Sequence, residues 1–573
     1  MQYDVYSMVQ SRQLFGEGFR RTQGNPARRY NLLAARLIAD IAKGLLGPRG
    51  MEKMFIDILG ETTVTKDGAT LLRKIDVEHP AAKVIIESSN AVDNEVGDGT
   101  ISVVVFAGAL IQKADELMDY GISPSSIADG YSKALEFSLK IAEDLSEHKD
   151  NPDGETMLCL ARTCLYPKLA SMVELIDNVA GIVVNAVIAV SDLPNNRAHI
   201  DNIKIEEKIG NSSETRLVDG IVVDKTIDNP AMPKSLNNAK ILLLDQELEE
   251  KNTRIDAEVR LDSATEIKQF LRAASTKLRK RIQNIIDSGA NVVISRKGIN
   301  PIAQQYLAEA KIISLRRVKE NDIHWIEKAT GAKVINDIDN ISLEPSLGYA
   351  GSVYERDIGG DKMVFIERCI NPHSVTILLR ASTKVALDEF HRSALSAIHV
   401  LRDFIIKPDI VYGGGSFEAI VASEIRKLST ITRGRRQIVM EGFADALDEI
   451  PLTIAKNAGM DELDTKSELR AKTYRSLGSK VRWFGINPMD RKIDDMRSNN
   501  IVEPSFVKEQ VLKTAVESTI LLVRVDDVLM MRPVMNTHTH ADGTQHAHAG
   551  GDKKHDHYFD KLGKQQRPMH HYY

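Results

Sequence analysis

Gly97-Asp98-Gly99-Thr100 is the run in this chain best suited to chemistry. Two glycines let a backbone bend close to a ligand. The apolar run from Val103 reads as a helix, and the free N–H groups of a helix start attract anions. A carboxylate inside a phosphate cradle is repulsive unless a cation intervenes, so Asp98 points to Mg²⁺ bridging to phosphate. Gly-Asp-Gly is also an ordinary turn. Three further runs share this double character. Thr65-Lys66-Asp67-Gly68-Ala69-Thr70 also reads as a turn between strands Thr62–Thr65 and Ala69–Leu72. Leu46-Gly47-Pro48 also reads as a helix stop, and Gly413-Gly414-Gly415 as a plain loop.

The elements around these runs follow from periodicity. Leu32, Leu33, Ala35, Leu37, Ile38, Ile41 and Leu45 form one helical stripe that must stop at Gly47-Pro48. A second helix runs from Val103 to Leu117, and a third starts after Gly121-Ile122-Ser123-Pro124-Ser125, where Pro and Ser suit a first turn. From Asn291 to Ile335 strands and helices alternate. Val292–Ile294 is a strand, Pro301–Ala308 a helix and Ile312–Val318 a strand. Asp322 is placed to cap a helix that ends at Gly331, and Val334-Ile335 starts another strand. That alternation predicts a parallel sheet covered by helices. Just before it, Ile267 to Ile286 marks one face of a long helix whose basic opposite face reads as solvated. From Phe417 to Val528 the chain reads as helix again.

The whole chain is 573 residues, a soft prior for roughly three or four domains. With 75 basic and 80 acidic side chains the net charge is -5, which argues against a protein that coats nucleic acid. Cys159, Cys164 and Cys369 make no disulfide framework and fit a reducing compartment. The start lacks a basic region followed by an apolar core, and the longest apolar stretch, near Ala180 to Val190, is too short to span a bilayer. The expectation is a water-soluble cytoplasmic protein that engages no membrane.

The carboxy-terminal tail differs in composition. His538, His540, His546, His548, His555, His557, His570 and His571 lie there, eight of the chain's 15 histidines. His-x-His spacing puts two imidazoles on one side of an extended chain, which suits zinc, nickel or copper. A polar tail with no specific ligand has the same composition.

Taken in order and at these separations, Leu46-Gly47-Pro48-Arg49-Gly50-Met51, Thr65 to Thr70, Glu95-Val96-Gly97-Asp98-Gly99-Thr100 and the triple glycine resemble the ATP site of chaperonins. The resemblance is closest to the group II family, the thermosome above all. Gly121-Ile122-Ser123-Pro124, Met232-Pro233-Lys234, Ile255-Asp256-Ala257-Glu258, Asp361-Lys362-Met363 and Asn457-Ala458-Gly459-Met460 extend it over roughly Gly24 to Val534. It implies an α+β multidomain chaperonin fold. The expected parts are a helical equatorial domain (1–154 and 413–534), an intermediate domain (155–223 and 380–412) and an α/β apical domain (224–379). A helical protrusion at about 246–285 serves as lid, and 535–573 is a His-rich tail. The implied function is an ATP-dependent chaperone subunit that folds unfolded polypeptide in a double ring of like or paralogous subunits. ATP and Mg²⁺ are the implied cofactors. Leu46, Gly47, Pro48, Lys66, Gly97, Asp98, Gly99, Thr100, Ile101, Ser102, Gly414, Gly415, Asn487 and Glu503 would surround ATP. Asp98 would hold Mg²⁺ through phosphate, and Lys168 would belong to the loop that senses nucleotide. Asp67 would be one catalytic carboxylate.

Three departures accompany the resemblance. Ser396 stands where the family has a second catalytic aspartate, and His399 lies one helical turn away. Losing a positioned base costs about 10²–10⁴ in rate. Ile101 replaces a threonine, and Ala381-Ser382 replaces a glycine pair after Arg380. An alternative therefore stands beside an active folding machine: a structural or regulatory ring subunit that binds ATP and hydrolyses it slowly.

Overall fold

The computed structural model describes residues 19–149, 152–169, 173–248, 264–338, 346–369, 374–476, 482–531, 535–539 and 545–549. The chain forms two compact units, residues 31–524 and the termini, 1–30 with 525–573. In the terminal unit Phe19–Gln23 pairs antiparallel with Asp527–Met531, and Met535–Thr539 with Gln545–Ala549.

The larger unit is built on two main cores. One draws on both ends of its sequence, from Leu32 through Val103, Phe106 and Met157 to Phe390, Phe417, Phe443 and Val516. Its central helix is Thr100–Asp119, in which Val103, Val104, Val105, Phe106 and Ala107 are fully buried. A helix apolar all round can only be stable inside a core. Phe443 packs edge-on against Phe106, with centroids 5.5 Å apart, and against Tyr131 at 5.9 Å. The first helix, Gly24–Lys43, stops before Gly47 as expected. The third, Pro124–Leu145, starts at Ser123, whose hydroxyl accepts from Ser126 N–H.

The second core lies in residues 221–366. Val292–Ser295, Ile313–Leu315 and Val334–Ile335 belong to the parallel part of a seven-stranded sheet, with Ser235–Leu244 beside Val292–Ser295 and Val334–Ile335. Gly348–Ile358, Asp361–Cys369 and Gly220–Val223 continue it antiparallel, so the sheet is mixed. A separate three-stranded sheet holds Val375–Ala381 between Ile203–Ile209 and Arg216–Val218. Ala381 is the buried last residue of that central strand. Thr383 then caps the helix Lys384–Ile406, its hydroxyl accepting from Ala386 N–H.

Several expectations are corrected. Ala69–Leu72 is not a strand but part of the helix Gly68–Lys74, because the Asp67 carboxylate accepts from Thr70 N–H at 2.8 Å and caps it. The strand over 312–318 shortens to Ile313–Leu315. The helical stretch after Phe417 is broken by strands Phe484–Asn487, Lys492–Asp495 and Val502–Pro504. Asp322 is no cap. It lies inside the helix Glu320–Thr330, whose N-cap is Lys319. There it is buried, with Oδ1 2.6 Å from Lys204 Nζ. The long helix is Ala264–Asp287, while 249–263 of the expected protrusion falls outside the described residues. His540, His555, His557, His570 and His571 fall outside them too. Among the described residues no helix is long and apolar enough to cross a membrane.

The Asp322 correction changes an energy. A lost cap costs about 1 kcal/mol, whereas breaking a buried ion pair costs about 3–5 kcal/mol. Lys204 keeps Glu206 at 3.0 Å, so Asp322→Ala is expected to cost about 3 kcal/mol, the lower end of that range. Urea unfolding of the variant beside wild type measures it, and a loss near 1 kcal/mol would return Asp322 to a minor role.

Candidate functional site

One cavity of about 570 Å³ opens in the first core, within the roughly 300–1,000 Å³ of small-molecule sites. Its wall includes Leu46, Gly47 and Pro48 after the first helix, then Lys66 and Asp67 before the capped helix. Asp98, Gly99, Thr100, Ile101, Ser102 and Lys168 follow, with Gly414, Gly415, Asn487 and Glu503 from the far end of the sequence. Gly97 and Ser396 are not on the wall, although Val400, one turn beyond Ser396 on the same helix, is.

The turn at 97–99 explains its glycines. Gly97, at φ +69°, closes the helix Pro80–Val96 by donating to Val92 O, and Gly99, at φ +80°, opens Thr100–Asp119. A Cβ on Gly97 would stand 2.3 Å from His399 Nδ1, and one on Gly99 2.8 Å from Val511 Cγ2. Both the backbone conformation and the space exclude a side chain.

Three helices begin at the cavity with no side-chain cap: Thr100–Asp119 behind Gly99, Ser416–Ile431 behind Gly415, and Ser505–Val523 behind Pro504. Helix starts carry unsatisfied N–H groups and partial positive charge, so together they favour an anion. Apolar side chains of Ile450, Ile454, Ile486, Val507 and Val511 complete the wall.

Charged groups are paired across it. Lys168 Nζ lies 3.2 Å from Asp98 Oδ1 and 3.7 Å from Cys164 Sγ. Burial opposes the Lys168 charge, but Asp98, Cys164 and Asp67 outweigh it and raise the pKa. Lys66 Nζ donates to Pro48 O at 3.0 Å, and burial lowers its pKa to about 8 against Glu52 and Glu389. Burial raises Glu503, as does Glu418, although Lys508 lies 2.5 Å away and lowers it. Asn457 braces the Leu46 loop from behind, its Nδ2 donating to Lys43 O at 2.9 Å and Leu46 O at 2.8 Å.

The helix Lys384–Ile406 sets two ionisable groups behind the turn. His399 packs on Gly97, and its Nδ1 is buried without a hydrogen-bond partner among the described residues. Burial lowers its pKa to about 4, with Arg402 and Lys168 adding to this and Asp201 opposing. His399 is therefore neutral near pH 7, but its ring sits behind the turn, off the cavity wall. Asp403 accepts from Arg402 Nε at 2.8 Å through Oδ1. Burial pushes its pKa up to about 7 against Arg402, with Glu95 and Asp98 adding to the rise.

The sequence reading missed Cys159, Thr163 and Cys164 on the wall, as well as its apolar members. Thr163 Oγ1 accepts from Val502 N–H and donates to Cys159 O, joining distant segments. Cys159, Thr163 and Cys164 belong to the helix Gly154–Lys168, where such residues read as ordinary core. Among the described residues, no group of three or more His, Cys, Asp or Glu is arranged to hold a metal ion. Mg²⁺ carried on substrate phosphates needs only one or two carboxylates, and Asp98 on the wall fits that need.

Comparison with known proteins gives one answer. The model of the TCP-1/cpn60 chaperonin family matches residues 38–533. Thermosome subunit beta of Archaeoglobus fulgidus is 42% identical over 90% of this chain and 93% of its own. Thermosome subunit alpha of Aeropyrum pernix is 41% identical over the same shares. A thermosome subunit of Methanocaldococcus jannaschii is 39% identical over 94% of this chain and 98% of its own. With this likeness running almost end to end, the chain belongs to the TCP-1/cpn60 chaperonins, on their group II branch.

Proposed function

We propose that the cavity binds ATP with Mg²⁺ and hydrolyses it, and that this cycle drives the folding of unfolded polypeptide inside a double ring of chaperonin subunits. The observation that carries the reading is the meeting of three uncapped helix starts with Asp67, Asp98 and Lys66 on one wall. The α/β core of residues 221–366, separate from the cavity core, is the part proposed to meet clients. The split equatorial, intermediate and apical layout remains part of the same proposal.

In this mechanism the Thr100–Ser102 N–H groups hold phosphate oxygens and Lys66 adds a point charge. Asp98 would hold Mg²⁺, which when bound neutralises phosphate charge. The Asp67 carboxylate, fixed by Thr70 N–H, orients a water for in-line attack on the γ-phosphorus. The new P–O bond forms as the bond to the ADP oxygen breaks, and the proton lost by the water ends on the released phosphate or in solvent. Substrate apolar surface sits on Ile450, Ile454 and Val507. The hydroxyl of Ser396 is no base at neutral pH, and that residue keeps a slow, regulatory subunit as the second reading.

Single-turnover phosphate release, with ATP binding measured on the same samples, tests both. Asp67→Ala is expected to bind ATP and lose about 10²–10⁴ in rate; wild-type release by that variant would sink the proposal. Ser396→Asp that speeds release at least about tenfold identifies a slowed subunit, and an unchanged rate supports an ordinary ATPase.

The lowered Lys66 pKa sets a pH dependence. Its ammonium is present below about 8 and lost above, so the charge that attracts phosphate disappears as pH rises. ATP affinity is expected to fall about five- to tenfold from pH 7 to 9, and Lys66→Arg, charged throughout, is expected to flatten that part of the curve. Parallel curves for the two proteins would remove Lys66 from the phosphate site.

A further inference from the structure

The helix Lys384–Ile406 carries Glu389 one turn before Arg392 and two turns before Ser396. Glu389, Arg392, Ser396 and Val400 therefore form one stripe along it, and Val400 reaches the cavity wall. The Glu389 side chain is only 14% exposed, and its carboxylate accepts four hydrogen bonds. Oε2 takes Thr65 Oγ1 at 2.9 Å, Arg392 Nε at 3.1 Å and Arg392 Nη2 at 2.6 Å. Oε1 takes Lys66 N–H at 3.2 Å. A carboxylate offers about four lone pairs, so this one is fully used.

Thr65 passes the contact on. Its hydroxyl donates to Glu389 and accepts from Asp67 N–H at 3.0 Å. Asp67 is thus fixed twice, by Thr65 at its backbone and by Thr70 N–H at its carboxylate. Thr65 is buried and off the cavity wall, so solvent does not replace its hydroxyl. Charge adds a second effect. Burial lowers the Lys66 pKa to about 8, while Glu52, from the chain before strand Lys53–Ile56, and Glu389, from the helix, both oppose it. A neutral amide could hold the loop, but it would not help Lys66 keep its proton.

We infer that Glu389 is a positioning residue for ATP hydrolysis: through Thr65 it sets where the Asp67 carboxylate stands, and its own charge faces the Lys66 ammonium. It acts through these two residues and not on the substrate. The inference rests on the ATPase reading above and adds to it the group that aims two of its members.

The test uses the full chain with Mg²⁺ and ATP, reading single-turnover phosphate release and ATP affinity on the same samples. Thr65→Val keeps the side chain's shape and removes its hydroxyl. At pH 6 it is expected to slow release at least about tenfold, as small misplacements of a reacting group do, with ATP affinity within about threefold of wild type. Thr65→Ser, which keeps the hydroxyl, is expected to stay within about threefold of the wild-type rate. Glu389→Gln removes the charge and keeps the shape. Lys66 then loses its proton at lower pH, so the fall of ATP affinity with rising pH is expected to start lower than in wild type. Adding Lys66→Arg to Glu389→Gln is expected to abolish that displacement, because arginine stays charged throughout. A purely structural clamp would not move the pH curve. Wild-type release by Thr65→Val beside a slow Asp67→Ala would overturn this inference and leave the ATPase reading standing. Thr65→Ser as slow as Thr65→Val, or superimposed pH curves for Glu389→Gln and wild type, would overturn it too. Wild-type release by Asp67→Ala would remove the ATPase reading and this inference with it.

Discussion

The turn at Gly97-Asp98-Gly99 is the constraint on which the rest of the cavity depends. It reverses the chain between two long helices in three residues, and both glycines take left-handed backbone conformations. His399 and Val511 press against it from either side. Neither neighbour can approach so closely if a Cβ intervenes, and without that approach the Thr100–Asp119 helix cannot start at the cavity wall. Its first N–H groups and the Asp98 carboxylate are thus aimed by the same packing that buries Val103 to Ala107. Core stability and anion affinity share one geometric cause.

Holding that turn in register needs segments far apart in sequence. Glu389 accepts from Thr65 Oγ1 and Lys66 N–H, fixing the loop that carries Asp67 to the helix that carries Ser396 and Val400. Asn457 fixes the Leu46 carbonyl, and Thr163 fixes Val502 beside Glu503. Each joins elements hundreds of residues apart through only one or two hydrogen bonds. The first core closes the loops, and these contacts choose the exact seat of each wall segment. A small displacement of one clamp therefore moves groups that never touch it.

Much of this was legible in the sequence, and the limits have physical reasons. The Ser123-Pro124 helix start and the stop before Gly47-Pro48 are set by local backbone chemistry, so they could be read from a few residues. Each cavity-lining run taken singly also fits an ordinary turn or loop, and it was their order and separations together that made them legible. Ala69–Leu72 was misread because a helix of seven residues offers too little periodicity, and the Asp67 cap that decides it is also a catalytic candidate. Asp322 was misread because its partner, Lys204, lies 118 positions away, and no local pattern reports a long-range ion pair. Ile450, Ile454 and Val507 gave no signal because a side chain facing a ligand and one facing a core have the same helical spacing. The antiparallel half of the larger sheet lay outside the stretch whose alternation was read.

The pairing of Lys168 with Asp98 links the cavity to the helix Gly154–Lys168, and its electrostatics have a consequence for the cycle. Lys168 is mostly buried, its side chain 12% exposed, and its charge is sustained against desolvation chiefly by Asp98. A divalent cation at Asp98 would withdraw that support, since both positive groups seek the same carboxylate and repel each other at short range. An anionic phosphate beside them would restore it. The lysine's preferred position therefore depends on the balance of cation and phosphate charge in the cavity rather than on occupancy alone. Because Lys168 ends its helix, a change in that balance acts at the point where the chain leaves the cavity wall. The Asp98–Lys168 contact therefore couples the charge held in the cavity to the end of the Gly154–Lys168 helix.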